Sequence, residues 1–584
     1  LCLLIILELD FYGSLDEVSL NSCISDNNSI PGMNKIRLLR ASLWLVLTII
    51  LIRLVQFQVI EHRYLLQKAT YNFLKEYKIH APRGKIYDRN GILLASWKPA
   101  FRIMAIPKFL KDEDYKTLQE LLGNLPIDPD TLKNKGNYVE IKGNLPYEET
   151  IKLLEKSINI KSIVIDADPV RVHTPYSKYA AHLIGYVSEA SKEEIKRFNL
   201  DPGDFIGKAG VERSFDSLLR GEDGARFIAL DSRGNVVSLN PRPPEEPVEG
   251  EEIFLTIDIK LQALLDSLFE KYPRGAAFGM NIKTGEVIIF YSKPYFNPES
   301  LITRWTDYVS DKEKPLLNRV LQGLYPPGST FKLITTLVGL YTGTLKENTV
   351  YYCPGGFTFG NRTWLCWRTE GHGSLNLIEA IAQSCNVYFN NVGARIGTQK
   401  FIETLDSFNL PEKTGIDLIG EYTVLIPTSK LLKNRLLLPS SVINWSIGQG
   451  EIQVTPAWMA LVTGLIAGNG KCPEPIVRKG DKPKYLYLNL PPKYFEIVKE
   501  GMRMVVESPQ GTAGYLYDPS FKIAGKTGTA QNPHGKEHSW FTCFFPYDDP
   551  TYVLTVVVEN AGHGSEAAAP IAINIAKRIM NEEK

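Results

Sequence analysis

Residues 38–60 form a nearly unbroken apolar stretch, preceded by Lys35, Arg37 and Arg40. About 20 apolar residues in a helix cross the roughly 30 Å of a bilayer's hydrocarbon. Inside lipid every backbone N–H and C=O must be paired within the segment, so the stretch is restricted to a helix. At midspan Arg53 would cost about 2.5–3.5 kcal/mol, whereas near the outer end it reaches the interface; the apolar centre is therefore residues 41–52. Leu51-Ile52-Arg53-Leu54-Val55-Gln56-Phe57 contains no small-x-small site, so the run reads as an uncleaved signal anchor, not a removed signal peptide. The basic flank holds the preceding residues inside and exports the chain beyond residue 60. A buried core helix would leave that flank unexplained. Residues 1–35 read either as a cytoplasmic tail or, with Met33 as the start, as an upstream artefact.

The 584 residues suffice for two to four domains, and 44% hydrophobic residues fill sizeable cores. Lys and Arg number 66 against 65 Asp and Glu, a balance that gives no footprint for nucleic acid. Residues 61–77 are predicted to continue the anchor as a juxtamembrane helix. Pro82-Arg83-Gly84 and Arg89-Asn90-Gly91 bracket a short strand and turn, whose charges, with Asp88, suggest a structural network. His182, in an apolar stretch, reads as a satisfied structural histidine. Residues 241–252, rich in Pro and Glu, read as a linker between a domain at 61–245 and one at 250–584.

In the second domain, 253–257 is a predicted strand and 258–271 a helix capped by Asp258. Residues 276–282 and 286–292 are strands joined as a hairpin by Lys283-Thr284-Gly285. Helices are expected over 329–341, 377–383, 387–396 and 455–467, then strands over 540–545 and 552–559. Lys-Thr-Gly recurs at 526–528, ahead of those last strands. The first copy reads as turn chemistry; the second reads as a site motif near a strand's end. Strands, then helices, then strands describe an α+β domain, a sheet packed with a helical lobe.

Tyr325-Pro326-Pro327-Gly328-Ser329-Thr330-Phe331-Lys332 holds the chain's only Ser-x-x-Lys. Ser and Lys at i and i+3 share a helix face, so the amine reaches the hydroxyl. A serine needs a neighbouring base to become a nucleophile, and a desolvated lysine can be that base. Alone, the pair is more often a helix start with a snorkelling lysine. Ser384-Cys385-Asn386 and Lys526-Thr527-Gly528-Thr529 alter that balance. With them, residues 35–584 resemble the class B penicillin-binding proteins, most closely the elongation-type penicillin-binding protein 2 branch.

The resemblance implies a single transmembrane helix, an elongated pedestal of the dimerisation type, and a serine β-lactamase/transpeptidase-like domain with an antiparallel sheet. It implies a peptidoglycan D,D-transpeptidase of cell-wall elongation and cell shape, inhibited by β-lactams, on the outer side of the cytoplasmic membrane. Ser329 would be the nucleophile and Lys332 its base. Ser384 would relay a proton, and Asn386 would bind a substrate amide or hold Lys332. In the Lys526-Thr527-Gly528-Thr529 motif, Lys526 would pull on the substrate carboxylate and help keep Lys332 neutral, Gly528 would let backbone approach the substrate closely, and the N–H groups of Ser329 and Thr529 would form the oxyanion hole. The donor would be a stem peptide ending in D-Ala-D-Ala. The implied partner is a RodA-like SEDS glycosyltransferase of the elongation complex. Division-type transpeptidase, D,D-carboxypeptidase and β-lactamase-like hydrolase are the alternative activities. No glutamate stands in the pattern that drives class A β-lactamase hydrolysis, and a β-lactam sensor would need an internal signalling domain that residues 1–40 are too short to supply.

Cys353, Cys366, His372 and Cys385 fall between the first two motifs and form a tetrahedral zinc set by residue type. Relatives of the penicillin-binding protein 2 type carry a structural Zn2+ here, some with carboxylates in the first two positions. A Cys353–Cys366 disulfide and separate buried thiols are the other readings of the same residues.

Overall fold

The computed structural model describes residues 33–65, 74–105, 110, 113, 139–145, 148, 150–151, 163–230, 236–239, 241–433, 437–532 and 535–582. The readings for residues 1–32 lie outside these. The chain divides into two compact units, residues 1–77 with 226–244, and residues 78–225 with 245–584.

The first unit contains the helix Met33–Val55, continued by a π-helical turn Gln56–Ile60. Within it Arg37–Ile60 is, among the described residues, the helix long and apolar enough to cross a membrane. Its large apolar side chains are exposed, as an all-round hydrophobic span requires. Arg53 lies in its last turn and donates to Gln56 Oε1 (3.0 Å). The expected helix over 61–77 is overturned at its end, where Leu74–Ile79 is a strand sharing a three-stranded sheet with Gly224–Leu230 and Val236–Leu239. Over 76–79, Glu76 and Lys78 alternate with Tyr77 and Ile79, a pattern that favours an extended chain once a partner strand is present.

In the second unit, Leu93–Ala105 is the spine of a five-stranded sheet, paired with Ile86–Tyr87, Val139–Leu145 and Ile163–His173. The fifth strand, Ile253–Phe254, runs parallel to Ile86–Tyr87. A buried ion cluster locks this region. Arg83 donates to Glu212 (2.5 Å) and Asp216 (2.7 Å), and Arg171 donates to Glu212 (2.6 Å). Burial alone would raise the Glu212 carboxyl, but Arg171 and Arg83 hold it at about 2. His182 is buried beside the Pro315 carbonyl (Nε2 to O, 2.8 Å), and burial lowers it to about 4, so it stays neutral, as a structural histidine should. The linker expected at 241–252 is ordered from residue 245 onward. Glu245 pairs with Ala225 and Val248 with Glu222, while Gly250 and Glu251 donate to Pro82 and Leu218. Proline and glutamate leave the segment without a hydrophobic pattern, yet its backbone groups find partners.

The larger core begins with α1 (Ile259–Leu268), capped by Asp258, whose carboxylate accepts the N–H groups of Lys260 and Leu261. Strands β1 (Gly275–Asn281) and β2 (Val287–Lys293) form the expected antiparallel hairpin. At its turn the Asn281 side chain accepts from Lys283 and Thr284, and Gly285 has φ +83°; the first Lys-Thr-Gly is turn chemistry. The helical lobe supplies α2 (Lys332–Tyr341), α3 (Leu377–Ala382), α4 (Asn386–Ile396), α5 (Pro456–Ala467) and α6 (Pro492–Glu507). Then come β3 (Ala524–Ala530), β4 (His538–Phe545), β5 (Tyr552–Val558) and α7 (Ala568–Glu582).

The sheet order is β2-β1-β5-β4-β3, antiparallel throughout, with β3 at the edge. Both faces are covered, so β5 is buried along its whole length and is apolar but for Thr555, whose hydroxyl pairs with that of Thr542 (2.7 Å). Side-chain alternation assigns the faces. Thr542 of β4 meets Thr463 of α5 (2.7 Å), whereas Ser539 accepts the Ala568 N–H at the start of α7 (3.0 Å). Lys526 pairs with Thr542 and therefore points to the helical-lobe side.

Candidate active site

Ser329 sits in a 3-10 turn, Gly328–Phe331, directly before α2, and not in the first turn of an α-helix extending over 329–341 as expected. Pro326 and Pro327 bring the chain in, and Gly328 takes φ +53°. The Gly328 N–H donates to Gly448 O (3.0 Å), and a Cβ on Gly328 would stand 2.5 Å from Thr529 O of β3. Contact is close on both sides. A Cβ on Gly448 would stand 2.0 Å from Gly328 O, and one on Gly528 would stand 2.9 Å from Thr330 Cγ2 and 3.0 Å from Pro327 O. Ser329 itself keeps partial exposure while Thr330, Phe331 and Lys332 are buried.

Lys332 starts α2 with no exposed surface. Its Nζ donates to Ser384 O (2.7 Å) and Asn386 Oδ1 (2.7 Å) and lies 3.3 Å from Ser384 Oγ. The Phe389 ring, one turn further along α4, lies 5.5 Å from the amine. Lys526, also fully buried, donates to Ser384 Oγ (2.8 Å) and Thr527 O (2.9 Å). The Ser384 hydroxyl is thus the point at which the three motifs meet. Burial lowers Lys332 to about 8, against the opposing pull of Cys366 and Cys385. Burial and the neighbouring Lys332 push Lys526 well below the ordinary lysine value.

Ser384 holds φ +55°, the left-handed region, between the end of α3 and the start of α4. A non-glycine residue there costs of order 1–3 kcal/mol, a strain that is kept where a fixed side chain is needed. The second Lys-Thr-Gly is not near a strand's end, as the sequence suggests; residues 526–528 lie inside β3, in register with Thr542, Phe541 and Trp540. Glycines commonly mark a strand's terminus, but Gly525 and Gly528 are there for closeness. A Cβ on Gly525 would stand 2.3 Å from the Phe541 ring. Thr529 Oγ1 accepts the Gly564 N–H (3.3 Å), and the Gln449 amide donates to Thr529 O (3.5 Å).

The four metal-type residues converge. One ligand atom from each of Cys353, Cys366, His372 and Cys385 lies within 4.8 Å of the others. The three cysteines are buried free thiols, so no Cys353–Cys366 disulfide is present. His372 Nδ1 is 3.5 Å from both Cys353 Sγ and Cys366 Sγ. Zinc–sulfur and zinc–nitrogen lengths of about 2.3 and 2.0–2.1 Å give tetrahedral edges of about 3.5–3.8 Å, so the donor set fits that ion in type, and the two His372–cysteine separations match such edges. Two short ribbons carry it: Tyr351–Cys353 pairs with Gly373–Leu375, and Gly356–Phe359 with Arg362–Leu365. Cys385 Sγ also accepts the Tyr388 N–H (3.4 Å) at the start of α4.

Residues the motifs do not announce also shape the cleft. The Trp367 indole donates to Gln383 O (3.0 Å), the Asn386 amide donates to Leu365 O (3.5 Å), and Gln383 donates to Gln510 (3.1 Å). Thr512 shares a hydrogen bond with Thr527 (2.6 Å). The small-residue loop Gly511-Thr512-Ala513-Gly514 is the one available signal, since such loops mark close approach.

A sheet-edge lysine, a serine-bearing turn and a helical lobe meeting at one cleft define a serine acyltransferase of β-lactamase-like fold. Residues 275–581 match the penicillin binding protein transpeptidase domain, and residues 78–255 the penicillin-binding protein dimerisation domain. The chain belongs to the penicillin-binding protein transpeptidase family. It is 31% identical to Peptidoglycan D,D-transpeptidase MrdA of Acinetobacter baumannii, over 83% of this chain and 78% of that protein. It is 29% identical to MrdA of Haemophilus influenzae, over 90% and 88%. Among solved structures it is similar to Penicillin-Binding Protein (PBP2) in complex with MreC from Helicobacter pylori, with TM-score 0.77, 29% identity, and 87% of this chain and 99% of that chain covered. It is also similar to a chain of a peptidoglycan synthase complex, with TM-score 0.68, 28% identity, and 93% and 97% covered.

Proposed function

We propose that the protein is a peptidoglycan D,D-transpeptidase of cell-wall elongation, working through an acyl-enzyme on Ser329. The observation that carries this reading is the Ser384 hydroxyl, set between the buried amines of Lys526 and of Lys332, which lies one turn along the chain from Ser329. The neutral Lys332 amine donates its two N–H groups to Ser384 O and Asn386 Oδ1, which leaves its lone pair for the Ser329 proton. Ser329 Oγ bonds to the carbonyl carbon of the penultimate D-Ala, and its proton passes to Lys332. The tetrahedral oxyanion is held by the N–H groups of Ser329 and Thr529. The C–N bond to the terminal D-Ala then breaks, with the amine leaving protonated through Ser384. Lys526 supplies positive charge for the terminal carboxylate, alongside Thr527, and the peptide lies along the free edge of β3, which Gly528 lets sit close against the Ser329 turn. The amine of a second stem attacks the Ser329 ester, forms the cross-link and restores the serine. Attack by water in its place gives D,D-carboxypeptidase activity, and a β-lactam acylates the same oxygen.

Zn2+ is the ion that Cys353, Cys366, His372 and Cys385 would hold. It would supply a fixed cross-link, with no open position for substrate. At Cys385 that anchor would stiffen Ser384 and Asn386 on either side. Elemental analysis of protein purified without chelator should find close to one zinc per chain, and a fraction well below half contradicts the assignment.

The apolar helix, with its basic flank, anchors the chain in the cytoplasmic membrane, with a pedestal over 61–245 and the transpeptidase domain over 250–584 on the outer side. The relatives solved with MreC and in a synthase complex support membrane partners of the same kind, MreC and a RodA-like SEDS glycosyltransferase. The direct test of the chemistry is labelling with a fluorescent penicillin. Wild-type protein should be labelled and Ser329→Ala should not, at equal thermal stability. Undiminished labelling of Ser329→Ala contradicts the assignment.

A further inference from the structure

The segment between α6 and β3 touches both sides of the cleft at points next to the proposed catalytic groups. The Thr512 N–H donates to Ala382 O (3.1 Å), the last carbonyl of α3, two residues before Ser384. The Thr512 hydroxyl lies 2.6 Å from the Thr527 hydroxyl, beside Lys526. Next to it, Gln510 accepts from the Gln383 amide (3.1 Å), one residue before Ser384. The segment is folded tightly enough to act as a strut. Gly511 and Gly514 donate to Ser508 O and Gly511 O, and a Cβ on Gly511 would stand 2.4 Å from Met504 O. Behind it, α6 and α3 pack at Gly501, whose Cβ would stand 2.6 Å from Ile381 Cδ1.

We infer that Thr512 is a positioning residue that sets the separation between Ser384 and Lys526, and with it the 2.8 Å bond that joins the helical lobe to the sheet edge. The inference rests on the acyl-transfer reading above. Thr512 touches no reacting atom; it acts through Ala382 on one side and Thr527 on the other. Two hydrogen bonds from one short residue hold those elements more tightly than separate contacts would, because neither can move without breaking the other. A bare sequence motif does not expose this, because the Thr512 contacts lie in two other stretches of chain, at Ala382 and at Thr527.

The test uses the full chain and benzylpenicillin, with stopped-flow acylation resolving the binding constant from the rate constant of ester formation. Thr512→Val keeps the shape and loses the hydroxyl; Thr512→Ser keeps the hydroxyl. Thr512→Val should lower the acylation rate constant by about tenfold or more with binding changed less than about twofold, as expected for misplacement of a catalytic group. Thr512→Ser should recover most of the rate. A Thr512→Val rate within about twofold of wild type overturns the inference, as does a Thr512→Ser variant no faster than Thr512→Val. If Thr512→Val does not fold, Thr512→Ser alone decides: it must acylate near the wild-type rate, and a loss of about tenfold overturns the role of the hydroxyl. Absence of acylation in the wild type would instead overturn the functional reading on which this one rests.

Discussion

A lysine can take a serine's proton near neutral pH only if its charged form has been made costly. Lys332 meets that condition through complete burial, and its two strong acceptors are a carbonyl and an amide oxygen, not a carboxylate. If Lys332 is the base, as proposed, its working form is the unprotonated amine, so acylation by a penicillin should rise as pH increases through about 8 and then level off. A rate independent of pH over roughly 6 to 9 contradicts Lys332 as the base. Ser384 permits a separation of structure from chemistry. Its φ of +55° favours glycine over alanine, so Ser384→Gly should be about 1 kcal/mol more stable than Ser384→Ala in denaturant titration. Both lack the hydroxyl and should lose acylation by a similar factor, on the order of 10². If Ser384→Gly acylates at the wild-type rate, the relay role fails.

At the level of elements, the cleft exists because β3 is an edge strand pressed onto the turn that carries Ser329. Gly528→Ala places a methyl group 2.9 Å from Thr330 Cγ2 and from Trp540 Cβ. Neither neighbour can retreat without moving the turn or the sheet, so acylation should fall by about 10² or more and the melting temperature should drop. Acylation unchanged in Gly528→Ala would show that strand and turn have more slack than their spacing allows. The elements also show how much was legible in the chain. The hairpin at Lys283-Thr284-Gly285, the Asp258 cap and the helices on either side of Ser384 follow from periodicity and local turn chemistry, and they stand where the sequence put them to within a few residues. The misplaced readings are those decided by distant partners. Leu74–Ile79 is a strand because Gly224–Leu230 pairs beside it, and Lys-Thr-Gly sits inside β3 because β4 fixes its register. The small-residue loop around Thr512 signals close approach but not to what, for the same reason: its contacts join stretches more than a hundred residues apart.

Across the molecule, stability and chemistry draw on different charges. Glu212 is fully buried between Arg83 and Arg171, with its carboxyl held at about 2 against an ordinary 4.5. A depressed carboxylate stabilises the fold above the unfolded value and loses that contribution as pH falls through the folded one. Glu212 should therefore contribute about 3 kcal/mol at neutral pH, lost between roughly pH 4.5 and 2. Unfolding midpoints of wild type and Glu212→Gln should differ most above pH 5 and converge in acid. A difference that grows as pH falls contradicts this. The sites remain separate, since Glu212 bonds to arginines in the dimerisation-type domain and Ser384 to lysines at the transpeptidase cleft.

The account stands on Ser329 as the oxygen that accepts the acyl group, and peptide mapping by mass spectrometry after brief exposure to benzylpenicillin tests it most directly. The adduct should fall on the peptide containing Ser329, at close to one per folded chain. An adduct on any other residue, or none on folded protein, contradicts it.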